Sequence, residues 1–405
     1  MNLRSSTLIS LCWLIEVFCH FGVTTVPHYS YLMCVIYLLT GIAISMLALR
    51  VQQEIPQGES LSPFVIVLFG MVVILGSQDI LSSHLARSPI DFHDADMLPV
   101  LQTMAARFLS TQEVYAIIPW IWDGMQPIYL PAFWMPYCLT EVLDMDMRWV
   151  SIVSCWFGLL LWLRLASQQV LTRLSWLLTA ISTISLWSIW MHLDFIFFTL
   201  TQEGLIVGYL SILCAGILLN SRWLTWSGIF LCLMSRYSIV PWMVAIAILS
   251  IWKPSLKKYS AYFLSAGIVG LILLFAVGAL PNYWTVFADV PGGYQIDLIA
   301  NPEKYAPVIQ QSLGVISLMP SEVYKWWPQL YLLLLFVIPI SFLGSLRLVN
   351  HGKTVFGPHI ILGCLKLSLT IFYSFLIIPY HYLFYPSTCV TVFLILSCER
   401  RFKFA

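Results

Sequence analysis

The chain has 405 residues, 60% of them hydrophobic and only 10% charged, with a net charge of +1. A mean hydropathy of +0.86 excludes an ordinary soluble domain. The near-balanced charge carries no signal for nucleic acid, so what matters is where Lys and Arg fall along the chain. The ten cysteines are scattered, mostly inside apolar runs, and no CxxC pair occurs, so they read as small buried hydrophobes rather than disulfides or metal ligands.

Residues 7–21 form the first apolar span, interrupted by Glu16. It has the look of a signal peptide, but no small-residue cleavage site follows and another span comes at once, so it reads as a retained membrane helix. Spans at 31–49 and 61–76 follow, separated by the polar connector VQQEIPQGES. Residues 78–131 then break the pattern with a large acidic loop. Beyond it, apolar spans recur at 149–163, 176–190, 204–219, 223–234, 239–252, 259–280, 330–346, 360–378 and 381–396. Residues 128–143 are apolar but carry Pro131 and Pro136, and are read as dipping into the membrane without crossing.

The positive-inside rule supports that choice. If 128–143 does not cross, Arg50, Arg164, Arg173, Arg222, Lys253, Lys257, Lys258, Arg347, Lys353, Arg400 and Arg401 share the cytoplasmic side. The expectation is an all-α, polytopic bundle of about twelve spans forming one membrane domain over 1–405. Both termini are then cytoplasmic, and the acidic loop at 78–131 and a second loop at 281–328 lie outside.

The acidic loop concentrates Asp79, Asp91, Asp94, Asp96, Glu113 and Asp123 with His84, His93, Arg87 and Arg107. Charged groups gathered beside a bilayer point to function. Met97, Leu101, Met104 and Phe108 recur at helical spacing, which predicts a short amphipathic helix in the interface. Asp94 and Asp96 stand just before it, where a helix N-terminus favours negative charge. One reading makes them caps. The other notes that three aspartates within six residues, with His93, exceed what one cap requires.

An outer loop with Asp91, Asp94 and Asp96 is followed by Ala105-Ala106-Arg107, then Tyr115, then Tyr129-Leu130-Pro131. This order resembles the GT-C superfamily of polytopic glycosyltransferases, in its bacterial mannosyltransferase-like branch. Thr201-Gln202-Glu203-Gly204, Asn220-Ser221-Arg222, Ser235-Arg236-Tyr237 with Pro241, and Pro379-Tyr380-His381-Tyr382 extend the resemblance. Thr201 stands where that branch has Gly, and Arg236 where it has Lys. The resemblance implies transfer of a mannose-like hexose or pentose from a polyprenyl-phosphate donor to an acceptor hydroxyl of a glycan, glycolipid or protein, outside the cytoplasm.

The residues suit that chemistry. A carboxylate at the water–membrane boundary can take a hydroxyl proton as general base, and cationic side chains can answer the charge on a departing phosphate. Asp91, Asp94 and Asp96 are the base candidates, and a single displacement would invert the anomeric centre. The substrate-binding candidates are His93, Arg107, Tyr129, Gln202, Arg236 and His381. Arg236 is either a phosphate contact or a snorkelling helix-end residue, and Tyr129 either a contact or a belt aromatic. No metal ligand set is read, although Asp-x-Asp could hold a divalent ion through oxygen. Compact size favours a bacterial plasma membrane. Two other classes stay open, a lipid or solute transporter or flippase, for which Glu16 and Lys366 would be the intramembrane groups, and a polysaccharide polymerase or ligase.

Overall fold

A computed structural model describes residues 5–26, 30–51, 63–167, 173–192, 196–279, 357–376 and 380–399, with separate positions between 297 and 341. The described residues are helical, without a strand; one isolated bridge joins Ile118 to Met125. In chain order the helices are α1 (Ser5–Thr25), α2 (Ser30–Leu49), α3 (Pro63–Arg87), α4 (Met97–Leu109), α5 (Pro131–Trp134), α6 (Tyr137–Val142), α7 (Arg148–Ser167), α8 (Arg173–Trp190) and α9 (Ile196–Thr199). They continue with α10 (Glu203–Leu219), α11 (Arg222–Leu233), α12 (Val240–Trp252), α13 (Lys257–Ala276), α14 (Pro358–Ser374) and α15 (Tyr385–Glu399).

Among the described residues, six helical stretches are long and apolar enough to cross a membrane, as a membrane protein requires; they start at Thr7, Ser30, Leu68, Arg148, Pro254 and His381. The expected spans at 223–234 and 239–252 are α11 and α12, bent by 116° at the break; counted as one broken span, they bring the number to seven. Pro241, in the first turn of α12, suits a helix restarting after a turn. Two more expected spans, α10 and α14, are helices of 17 residues, and of α8 only Ala180–Trp190 counts as an apolar helix, all short of the roughly 20 of a full crossing. The span expected at 330–346 lies largely outside the described residues. The segment 128–143, read as dipping without crossing, is the two short helices α5 and α6.

Helix α3 runs to Arg87, ten residues into the stretch read as loop, so Asp79 and His84 are helical. Arg87 in its last turn suits the negative end of the helix dipole, and Pro89 stops it. Arg148 at the start of α7 fastens that end, giving its Nη2 to the Leu85 carbonyl at 2.9 Å while Asp146 accepts from its Nε at 2.9 Å. The amphipathic helix expected from Met97, Leu101 and Met104 is α4, whose Met97, Leu98, Val100, Leu101, Met104 and Ala105 are buried. Phe108 continues the spacing but is exposed, at 38%.

Helices α10 and α15 are buried on nearly every side, as helices hydrophobic all round must be. Helix α10 packs against α7, α11, α14 and α15, while α1 and α14 pack on α2 and α15. The turn between α10 and α11 uses Asn220 in the left-handed region (φ 53°), and Ser221 caps α11 through Leu224 N–H. The two helices therefore run antiparallel and touch closely. A Cβ on Gly216 would lie 2.4 Å from Thr225 N, and one on Gly228 2.5 Å from Leu213 Cα. Hydrogen in place of a methyl is what lets the backbones meet. The hairpin brings the start of α10 and the residues after α11 to the same end of the bundle, beside α5 and the acidic loop. Met234 O accepts from Ala132 N–H at 2.9 Å, and Tyr209 OH donates to Ala132 O at 2.8 Å.

Candidate polar site at the loop end of the bundle

The three aspartates of the acidic loop differ in surroundings. Asp91 is exposed; its Oδ1 accepts from His93 N–H at 2.9 Å and pairs with His93 Nδ1 at 2.7 Å. The backbone N–H and imidazole of His93 hold the Asp91 carboxyl below the usual range. Asp94 is exposed. Asp96 is half-buried, and burial pushes its carboxyl upward, offset in part by a hydrogen bond from Trp122. It stands at the N-cap of α4, yet its side chain makes no capping hydrogen bond. The cap reading therefore does not account for it. The loop holding Trp122 is tight. Trp122 (φ 49°) and Asp123 (φ 59°) both lie in the left-handed region, which a bulky Trp rarely enters.

Arg107 is engaged elsewhere. Its two Nη groups donate to the carbonyls of Ala116 and, at 3.0 Å, Ile117. It closes the acidic loop on itself rather than offering free donors to a substrate, because a guanidinium beside two unpaired carbonyls satisfies them first. Tyr129 stacks on Phe133 (5.2 Å between ring centres), and its carbonyl accepts from Tyr115 OH at 2.9 Å.

The second loop meets the first at Tyr380. Burial raises the Tyr380 hydroxyl, and the nearby Asp96 carboxylate and Tyr305 raise it further, against Lys304. Asp297 accepts from Asn301 Nδ2 at 2.7 Å, Lys304 Nζ at 2.8 Å and Tyr305 OH; Lys304 and Tyr305 lead in lowering its carboxyl to about 2. The turn at Pro291-Gly292-Gly293-Tyr294 lies outside the described residues. Ser312 is buried, its carbonyl 3.2 Å from Cys34 Sγ on α2.

Tyr380 also lines a cavity of about 160 Å³, with His192, Phe197, His381, Tyr382 and Tyr385 among its walls. His381 Nε2 lies 3.4 Å from His20 Nδ1 on α1, and its Nδ1 lies 3.3 Å from Tyr385 OH. His20 Nε2 pairs with Thr388 Oγ1 at 2.9 Å, and His192 Nε2 with Thr24 Oγ1 at 2.6 Å. Among the described residues no group of three His, Cys, Asp or Glu side chains is placed to hold a metal ion.

Tyr382 stacks on Tyr380 (5.4 Å) and leads inward to Glu203, Arg236 and Tyr129. Arg236 Nη2 pairs with Glu203 Oε1, and the guanidinium lies 5.2 Å from the centre of the Phe133 ring. Gln202 Oε1 accepts from Tyr137 OH at 2.6 Å. The site thus runs from Asp96 through Tyr380 and Tyr382 to Gln202, Glu203 and Arg236. It gathers Asp96, Gln202, Arg236 and His381 of the expected residues. It leaves Asp91, His93 and Asp94 exposed in the loop before α4, and Arg107 bound to loop carbonyls. His20 and His192 were missed by the sequence reading. A histidine inside an apolar span was the available signal for His20. No protein-family model, curated protein or solved structure matches the chain.

Proposed function

We propose that the chain is a membrane glycosyltransferase of GT-C type that moves a sugar from a polyprenyl-phosphate donor to an acceptor hydroxyl outside the cytoplasm. The observation that carries this reading is Asp96, a half-buried carboxyl raised by its surroundings, near Tyr380 at the edge of the cavity. A raised pKa makes the ionised form a better proton acceptor. In the step, Asp96 takes the proton of the acceptor hydroxyl and the oxygen bonds to the anomeric carbon. The bond from that carbon to the phosphate oxygen breaks, and the electron pair leaves on the polyprenyl phosphate, so the centre inverts. The hydroxyls of Tyr380 and Tyr382 and the ammonium of Lys304 near Tyr380 supply donors for the departing phosphate, with His381 and Tyr385, paired to each other, forming the cavity wall behind them. The membrane is a bacterial plasma membrane with both termini on its cytoplasmic face.

The test is incubation of the detergent-purified protein with a panel of polyprenyl-phosphate sugars, following donor consumption. One donor is consumed by the wild type and spared by Asp96→Asn, while Asp91→Asn and Asp94→Asn still consume it. Full activity in Asp96→Asn, or labelling that puts residues 90–97 on the cytosolic side, overturns the proposal. A transporter is the second reading, favoured by the Glu16–Lys366 pair buried between α1 and α14. It predicts movement of an intact solute or lipid with no donor consumed.

A further inference from the structure

At the inner end of the site three buried polar atoms have no hydrogen-bond partner: Gln202 Nε2, Glu203 Oε2 and Arg236 Nε. Gln202 and Glu203 are fully buried. Buried polar atoms are nearly always satisfied, and here three that are not lie on one ion pair and the residue before it; the Tyr373 hydroxyl, close to the same pair, is a fourth. Each atom states what it needs. Tyr137 OH occupies Gln202 Oε1 and so fixes the amide, leaving Nε2 to donate. Arg236 Nη2 occupies Glu203 Oε1, leaving Oε2 to accept and Arg236 Nε to donate. Two donors, one acceptor and a phenol that can be either match a group that both accepts and gives hydrogen bonds, which is a hydroxyl. A phosphate only accepts, and the Glu203 carboxylate repels it. The Phe133 ring lies against the guanidinium, and the phenols of Tyr373, Tyr129 and Tyr382 are the electrostatic neighbours of the same pair.

We propose that Gln202, Glu203 and Arg236 form a polyol subsite that reads the hydroxyls of the sugar ring, leaving the phosphate to the cavity lined by His381 and Tyr380. This rests on the glycosyl-transfer reading, and it makes Glu203 a specificity-determining residue where the sequence suggested only a helix start.

The experiment measures binding, without turnover, to Asp96→Asn protein in detergent. Its probes are citronellyl phosphate and the citronellyl-phosphoryl derivatives of mannose, glucose, galactose and arabinose. One glycosylated probe binds at least about tenfold tighter than citronellyl phosphate, the discrimination a site with otherwise unpaired polar atoms gives. Adding Glu203→Gln reduces that ratio to about threefold or less and leaves the affinity for citronellyl phosphate unchanged. Gln202→Met leaves the ion pair intact, guards against misfolding of the first variant, and reduces the ratio in the same direction. An unchanged ratio in both variants overturns the subsite, as does an equal loss for the bare phosphate. If no donor is consumed by the wild type while the binding preference persists and falls with Glu203→Gln, the transfer reading fails and the polyol subsite stands.

Discussion

Two ion pairs among the described residues hold a fully buried glutamate, and they are built differently. In the core, Lys366 Nζ lies 2.8 Å from Glu16 Oε1 and 3.1 Å from Oε2, and also donates to Ser387 Oγ at 3.1 Å and to Ser387 O at 3.2 Å. Thr391 OH donates to Glu16 Oε2 at 3.2 Å. That pair is enclosed by its own helices, α1, α14 and α15. At the loop end, Arg236 and Glu203 meet through one nitrogen and one oxygen, and atoms beside that contact stay open. The core pair leaves one oxygen, Glu16 Oε1, without a hydrogen bond although it lies 2.8 Å from the ammonium, whereas at the loop end Glu203 Oε2, Arg236 Nε and the neighbouring Gln202 Nε2 are all left with bonding capacity. Burial alone does not separate structural from functional charge; the count of remaining valences does.

The largest effect that tests this contrast belongs to the loop end. Asp96→Asn lowers kcat for transfer by about 10²- to 10⁴-fold with donor binding retained. In the wild type, transfer falls as pH drops through the raised Asp96 pKa, so the acidic limb lies above the ordinary aspartate range. The sign for stability is opposite. Folding favours protonated Asp96, so its contribution is present below the ordinary aspartate pKa and is lost as pH rises through the raised value.

Next comes the core. Lys366→Met leaves Glu16 buried and unpaired, at a cost of about 3–5 kcal/mol in detergent unfolding. The double variant Glu16→Met/Lys366→Met recovers most of it and keeps transfer activity. Failure of the double variant to transfer would give the core pair a working role and erase the contrast. The corresponding double change at the loop end, Glu203→Leu/Arg236→Met, keeps the fold and loses about 10- to 100-fold in kcat/KM. Smallest is Trp122→Phe, which removes the hydrogen bond that holds Asp96 down. The acidic limb of the rate profile then moves to higher pH by about one unit or less.

The sequence made local features legible and long-range ones not. The spacing of Met97, Leu101 and Met104 located α4 because helical period is written in adjacent turns. The end of α3 was misplaced because Asp79 and His84 look like loop residues, although a helix can carry charge past the membrane boundary. Glu203 and Arg236 are 33 residues apart, and their meeting depends on a hairpin whose turn at Asn220 and Ser221 was visible but whose closure was not. In the sequence, only its charge marks Arg107. Its carbonyl partners lie nine and ten residues later in irregular chain, which no periodicity reveals. The histidines of the cavity come from the turn after α8 and the start of the last span, and His20 of α1 contacts one of them, so only the packed bundle unites them.

Gly216 and Gly228 give the α10–α11 hairpin a mechanical role. They act as a clasp whose tightness sets the alignment of the tips, where carboxylate and guanidinium face each other. A methyl group at Gly228 would wedge the two rods apart at mid-length, and the displacement would be felt at residues that the substitution never touches.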